Sequence, residues 1–335
     1  MILVTGGTGL VGSHLLYFLL KNNKKVRAVH RKNSDLQGVK KIFGYYTKDV
    51  DALFNAIEWV EANLIDIPAL TSAFEGVTHV YHAAAYISFH PKHYYKLKKS
   101  NIEGTANIVN LCLAHGVEKV CYVSSIATLG TLPNGALSNE ETVWNPEENN
   151  SVYAITKYGA EMEVWRGTQE GLNAVIVNPG VILGEGYWGS GSGNIVASVS
   201  RGMPFYTSGG VGVIDVVDVV RVMIFLMENP IKNERFILVE ENIHFKELLT
   251  HLALGLGKKP PKRAIGKGTL LMVSKLDWLS EKLFRTKRKF LKATVASMYT
   301  TSFYDGSKIK KEIDFDFVPW QETIQRITKH YSSGS

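Results

Sequence analysis

The chain has 335 residues, 45% hydrophobic and 21% charged, a make-up that fits one large domain or two interlocked ones and excludes a disordered chain. Its formal net charge is +7, with many of the surplus lysines between Lys258 and Lys311, a distribution open to an anionic partner or to a solvated face. No basic stretch precedes Ile2–Val4, glycines follow at once, and no later run approaches the roughly 18 apolar residues of a membrane span, so a soluble, cytoplasmic protein is expected.

Taken in chain order, short β-branched runs alternate with helical patterns. MILVT, KVRAV, IEWVEA, HVYHA, KVCYVS and NAVIVN predict strands, and helices are predicted near 10–22, 68–75, 102–115 and 153–170. Strands apolar on both faces and separated by helices imply an α/β fold with a parallel sheet covered on both sides. After about residue 180 the pattern changes: glycine-rich loops (GEGYWGSGSGN, TSGGVGV) alternate with short helices, and RFILVE is one of the few later strands. A smaller lobe over the sheet is the expectation there. Cys112 and Cys121 lie in apolar surroundings without metal-ligand spacing, so both read as reduced core residues. His82, His90 and His93 are not spaced as a metal set, and no metal is assigned.

The first strand runs into GGTGLVG and then a helix, the context in which a glycine-rich loop cradles a dinucleotide. Gly6 permits the tight turn, Gly9 lets backbone approach a pyrophosphate, and Gly12 lets helix pack closely on strand. The helix start offers free N–H groups and a positive dipole end, so Gly6, Thr8, Gly9, Leu10, Val11 and Gly12 form the candidate phosphate cradle. At the end of the second strand an NAD site wants a carboxylate and an NADP site an arginine. The sequence reads VRAVHRKN: His30 stands where the acid would be, followed by Arg31 and Lys32. A guanidinium pairs bidentately with a 2′-phosphate, so NADP is preferred over NAD, with Arg31 and Lys32 as its candidate ligands.

Further along come LIDI (64–67), HAAA (82–85), SNIEGT (100–105), YVSSIATLG (122–130), YAITK (153–157) and NPGVILG (178–184). With the opening TGGTGLVG these resemble, in order and spacing, the extended short-chain dehydrogenase/reductase family, also described as the NAD-dependent epimerase/dehydratase family. The resemblance implies a Rossmann doubly wound sheet over residues 1–180. It implies a mainly substrate-binding mixed α/β lobe over 181–331, some segments of which return to the sheet. By the same resemblance Asp66 and Ile67 flank the adenine, Ala83, Ala84 and Ala85 line the cofactor, Asn101 lies near it, and Pro179, Gly180 and Val181 sit beside the nicotinamide amide. A homodimer through the helices near 102–115 and 153–170 is common in the family.

The chemistry also follows from residue types. Tyr153 and Lys157 are four apart and share one helix face. A lysine ammonium near the phenol, with an oxidised nicotinamide's charge, is expected to bring the tyrosine pKa down from about 10 and make it a general acid or base. A serine at the end of the fifth strand would hold the substrate oxygen. The family's serine stands five residues before the glycine closing its motif; counting from Gly130 gives Ser125, with Ser124 and then Thr128 as fallbacks. Lys157 would also reach the nicotinamide ribose.

Nucleotide-sugar members of the family usually carry an arginine seven residues before the aspartate of their V-x-D segment. Here that position is Val211, and neither Arg201 nor Arg221 stands in its place. Together with Asn178 and the tail SFYDGSKIKKEIDFDF, this resembles the dihydroflavonol-reductase-like and 3β-hydroxysteroid-dehydrogenase-like branch. The expectation is an NADP(H)-dependent oxidoreductase acting on a small-molecule carbonyl or alcohol, with no nucleic-acid partner. The alternatives are a nucleotide-sugar epimerase or dehydratase with bound NAD, and a non-catalytic dinucleotide-sensing protein. Tyr86–His90, Leu129–Leu132 and Ile182–Trp188 are the expected pocket loops, in which Phe89, Tyr187 and Trp188 either line the pocket or pack the lobe. Residues 275–292 are amphipathic and basic. Leu276, Leu279, Leu283 and Phe284 share a face that either packs on the protein, the favoured reading, or makes a weak peripheral membrane contact.

Overall fold

The computed structural model describes residues 1–132, 136–284 and 291–333. The first half alternates strand and helix: β1 (Ile2–Thr5), α1 (Leu10–Lys21), β2 (Val26–His30), α2 (Leu36–Phe43), α3 (Val50–Asn55), β3 (Glu58–Glu61), α4 (Ile67–Ala73) and β4 (His79–His82). Then α5 (Tyr94–Leu97) runs through a π-helical turn into α6 (Gly104–Ala114), followed by β5 (Lys119–Val123), α7 (Val152–Gln169) and β6 (Ala174–Pro179). Beyond it come β7 (Val181–Leu183), α8 (Gly193–Ser200), β8 (Phe205–Tyr206), β9 (Gly210–Asp215), α9 (Val216–Glu228), β10 (Glu234–Leu238) and β11 (Glu241–His244). The chain closes with α10 (Phe245–Gly255), β12 (Arg263–Ala264), α11 (Lys267–Phe284), α12 (Lys292–Ser297), α13 (Ser307–Glu312) and α14 (Trp320–Ser333).

Seven parallel strands form the main sheet in the order β10-β6-β5-β4-β1-β2-β3. The inner strands β1, β4, β5 and β6 are buried almost throughout because helices cover both faces, while the edge strand β3 exposes Glu58 and Glu61. Leu15, Leu16 and Leu19 of α1 join Val219, Met223 and Leu226 of α9 on one side, with Cys121 among them. Leu70 of α4, Ile108 and Cys112 of α6, and Ala160 and Val164 of α7 fill the other. Both cysteines are buried and unpaired. RFILVE supplies β10, which pairs with β6 from Glu234 opposite Val175 to Leu238 opposite Pro179, so α9 and β10 return to the main sheet after residue 180.

A second sheet, β11-β9-β7, begins one residue past β6. Gly180 makes that crossing: its N–H donates to Leu238 O at 3.0 Å, and a Cβ there would stand 2.4 Å from the Gly212 carbonyl oxygen. Behind this sheet Val213, Leu248, Leu252, Trp320 and Ile324 form a separate apolar core. Arg326 on α14 staples it to the body, reaching Glu185 at 3.0 Å and Asp215 at 2.7 Å, both fully buried carboxylates.

Helix α11 overturns the favoured expectation for the basic amphipathic stretch. Leu276, Leu279 and Leu283 face solvent, and the helix rests on the body through Leu270, Ser274 and Glu281. The reason is an anchor on the polar side: Glu281 meets Lys92 at 2.9 Å and His90 at 3.5 Å. The Phe284 side chain and residues 285–290 lie outside the described residues. Among those described, no helix is long and apolar enough to cross a membrane.

Because the Gly180 crossing is a backbone-to-backbone approach, Gly180→Ala should destabilise the protein by about 1–3 kcal/mol, the usual cost of forced overpacking. Urea unfolding measures it, and an unchanged midpoint would show that the crossing has room.

Candidate active site

The strand order reverses between β4 and β1, and the crevice at the carboxyl ends of such neighbours is where open α/β sheets bind ligands. Gly6 leaves β1 with φ +73°, and a Cβ on it would lie 2.6 Å from Ala84 N; one on Gly12 would lie 2.1 Å from the Gly6 carbonyl oxygen. Only glycine lets the loop, the first turn of α1 and the run leaving β4 come together. Gly9 is the N-cap of α1 and supplies no side-chain cap, so the first-turn N–H groups of Leu10 and Val11, both partly exposed beside Thr8, are left for an acceptor. These residues fit the diphosphate of a dinucleotide.

At the end of β2, Arg31 N–H donates to Ser34 Oγ at 3.0 Å, and Ser34 N–H to Arg31 O at 2.9 Å, closing a turn. The Arg31 and Lys32 side chains are exposed from that turn. Across the crevice Asp66 caps α4 through Oδ1, which accepts from Ala69 N–H at 3.3 Å, and Ile67 is exposed next to it. Ala83 and Ala84 leave β4 against Gly6 of the glycine loop, and the exposed Ala85 follows them. Asn101 is buried, and its amide is taken up by the protein: Oδ1 accepts from Tyr86 N–H at 2.7 Å, and Nδ2 donates to Tyr86 O and to Thr156 Oγ1. It fixes the Ala83–Tyr86 run rather than offering a free group. Pro179, Gly180 and Val181 form the step from β6 to β7.

Ser125, where β5 ends, comes up to Tyr153, where α7 begins: its hydroxyl is the group that pulls the phenol back against burial, and Ser125 Oγ accepts from Ala127 N–H at 3.2 Å. Ser124, by contrast, is buried and donates to Glu161 Oε2 at 2.5 Å, and Thr128 donates to the same oxygen at 2.7 Å. Geometry therefore separates the three candidates, leaving Ser125 the hydroxyl beside Tyr153. Lys157 departs from expectation. Its ammonium donates to Tyr122 Oη at 2.6 Å and Val123 O at 2.8 Å, turned toward the sheet and away from the Tyr153 phenol. Burial pushes Tyr153 up to about 12, with Ser125 pulling it back, so the anticipated lowering does not arise from this lysine. Burial pushes Lys157 down to about 7, opposed by Glu161 one turn further along α7.

Glu161 and Tyr122 are the residues that motif reading passed over. The Glu161 carboxylate, fully buried, accepts from Ser124, Thr128 and Asn178 on one oxygen, and from Arg235 at 3.1 Å and Trp165 at 3.4 Å on the other. Its signal in the sequence was the spacing: an acid four residues beyond Lys157 shares the face of Tyr153 and Lys157. Tyr122 stacks on His82 at 5.3 Å, and His82 in turn bridges Thr5 Oγ1 and Thr105 Oγ1. Burial and the Lys157 charge hold His82 down near 3, so it is neutral there.

Of the aromatic candidates for the pocket, Phe89 stands at the site, its ring 5.5 Å from Tyr153. Trp188 packs on Tyr331 in the core behind the second sheet. Tyr187 lies against Ser13 and Asp35, between α1 and α2. Val211 is packed among Leu129, Val239 and Tyr304. Arg221 is paired with Asp218 and stacked on Phe315, and Arg201 reaches Ser198 at the exposed end of α8.

The reversed strand order, the glycine cradle and the paired hydroxyls define an oxidoreductase that works with a nicotinamide dinucleotide. The NAD dependent epimerase/dehydratase family model matches residues 2–238, and the chain belongs to that family. It is 30% identical over 325 residues to a putative dihydroflavonol 4-reductase of Synechocystis, covering 92% of this chain and 88% of that one. It is 29% identical to sterol demethylase protein B of Methylococcus capsulatus, covering 93% and 92%. The crystal structure of gox2253 matches with a TM-score of 0.82 at 28% identity, covering all of this chain and 98% of the other.

Lys157 also has a cost. In the unfolded chain its pKa is the ordinary 10.5, against about 7 when folded. Between those values the unfolded chain holds the proton and the folded chain does not, so stability rises with pH across that window and the penalty is largest at and below pH 7. Lys157→Met should therefore unfold at higher urea than the parent at pH 6, by at least about 1 kcal/mol, with the gap closing toward pH 10. A parent as stable as the variant at pH 6 would mean that the ammonium is not desolvated.

Proposed function

We propose that the protein is an NADPH-dependent reductase of an apolar ketone or aldehyde that carries no nucleotide. The observation that carries this reading is the Ser125–Tyr153 hydroxyl pair at the carboxyl end of β5, beside the glycine cradle and under the exposed ring of Phe89. Bound NADPH supplies the hydride for the carbonyl carbon. Ser125 donates a hydrogen bond to the substrate oxygen and fixes the carbonyl. Tyr153 gives that oxygen its proton. A phenol held near 12 is protonated at neutral pH, which suits a general acid and favours the reducing direction. Lys157, anchored by Tyr122 and Val123, would hold the nicotinamide ribose and return a proton to Tyr153 through it. Glu161 keeps Ser124, Thr128 and α7 in register, so that the two hydroxyls stay paired.

Arg31 supports NADPH: its guanidinium is exposed at the end of β2 and makes no ion pair or side-chain hydrogen bond among the described residues. Val211, partly buried against apolar neighbours, supports a substrate without a diphosphate, and the two relatives named as a putative dihydroflavonol 4-reductase and a sterol demethylase protein point the same way.

Calorimetry should show NADPH binding at least tenfold tighter than NADH, with Arg31→Ala removing the preference. Tyr153→Phe should keep NADPH affinity and lose about 100- to 10,000-fold in kcat on a reducible carbonyl. Tighter binding of NADH, or NAD carried through purification, would move the epimerase reading to the front. Undiminished function in Tyr153→Phe would favour a dinucleotide sensor.

A further inference from the structure

We infer that α11 is a docking surface for an anionic lipid membrane. Met272, Leu276, Leu279 and Leu283 recur at helical spacing and fall on one stripe, and they are 62%, 67%, 44% and 63% exposed. The helix is held from the opposite side. Leu270 and Ser274 are buried against the body, and Glu281 is pinned by Lys92 and His90. The apolar stripe is thus left outward by a helix whose contacts with the body are already made.

Charge identifies what covers the stripe. From Lys258 to Lys292 the sequence holds twelve Lys and Arg against two Asp and Glu, a balance of +10, which leaves −3 for the rest of the chain. The surplus charge of the whole protein is therefore carried by the segment that bears the apolar stripe. Lys275 and Lys282 flank the stripe on one edge, both exposed. A second copy of this chain would set +10 against +10 across a two-fold axis, which disfavours self-pairing through this helix. A nucleic acid would use the lysines and leave four exposed aliphatic side chains without a role. An anionic bilayer satisfies both, taking the stripe into the acyl boundary and the lysines at the headgroups.

The position adds a consequence for access. The Glu281 anchor ties α11 to the loop that carries Phe89, whose ring stands 5.5 Å from Tyr153. The docked helix and the substrate-side mouth share a rim, so a lipid-soluble carbonyl compound would meet the site at the membrane surface. The docking stands without this consequence and without the proposed reaction.

The test is flotation of the intact protein with vesicles of phosphatidylcholine alone and with vesicles containing roughly a third phosphatidylglycerol. We expect at least tenfold more protein to float with the anionic vesicles, the excess falling in high salt as exposed charges are screened. Leu276→Asp/Leu279→Asp should remove it while leaving NADPH affinity, the check on folding, unchanged. In the unmodified protein, brominated anionic lipid should quench tryptophan emission, and Trp278→Phe should lose most of that quenching. Absence of flotation overturns the proposal, as does flotation unchanged in the aspartate variant. Also overturning are retention on duplex RNA with no flotation, and a dimer that the aspartate variant dissociates with no flotation.

Discussion

One buried carboxylate ties the working end of this molecule together. Glu161 sits on α7, and its two oxygens draw in Ser124 from the end of β5, Thr128 from the turn after it, Asn178 from β6 and Arg235 from β10. A carboxylate taken out of water is tolerated only when its lone pairs are met, and here they are. The consequence is geometric. The helix carrying Tyr153 and Lys157 is locked to the strand end carrying Ser125 by neighbours of those residues, so the reacting hydroxyls need not hold the structure themselves. Ser124 and Ser125 divide the work, one inward to the carboxylate and one outward to Tyr153.

The same burial that makes the site precise in position makes it costly in charge. Lys157 and Tyr153 are both pushed toward their neutral forms, the lysine down and the phenol up. They do not answer each other directly, because the ammonium is spent on Tyr122 and the Val123 carbonyl. The spacing of four in the sequence guaranteed a shared helix face but not a shared hydrogen bond. A residue on the adjacent strand, Tyr122, intervened.

Away from the hydroxyl pair, the second sheet is carried by two devices. Gly180 lets the chain pass from the seven-stranded sheet into β7 with no side chain in the way of Gly212. Arg326 then draws Glu185 and Asp215 together, and Asp215 also caps α9 through Val217 N–H at 2.7 Å. Since α9 packs on α1, the staple under the second sheet supports the helix that opens the dinucleotide cradle.

The sequence by itself determined the parallel sheet, the six strands of its first half and the glycine-rich turn after β1, and it put forward Ser125, Tyr153 and Lys157 as candidates. These are local signals: β-branched runs, glycines where no Cβ fits, and a motif read in order. It did not disclose α2, whose apolar residues are interrupted by glycine and lysine, or α3, only six residues long, both being short helices that depend on packing. It placed RFILVE among the few strands of the later half, whereas β10 completes the main sheet, because strand partners are chosen by tertiary contacts far apart in sequence. The outward turn of Leu276, Leu279 and Leu283 was likewise decided in three dimensions. Amphipathicity says that a helix has two faces; the burial of Leu270 and Ser274 and the contacts of Glu281 with Lys92 and His90 on a distant loop settle which of them meets the protein.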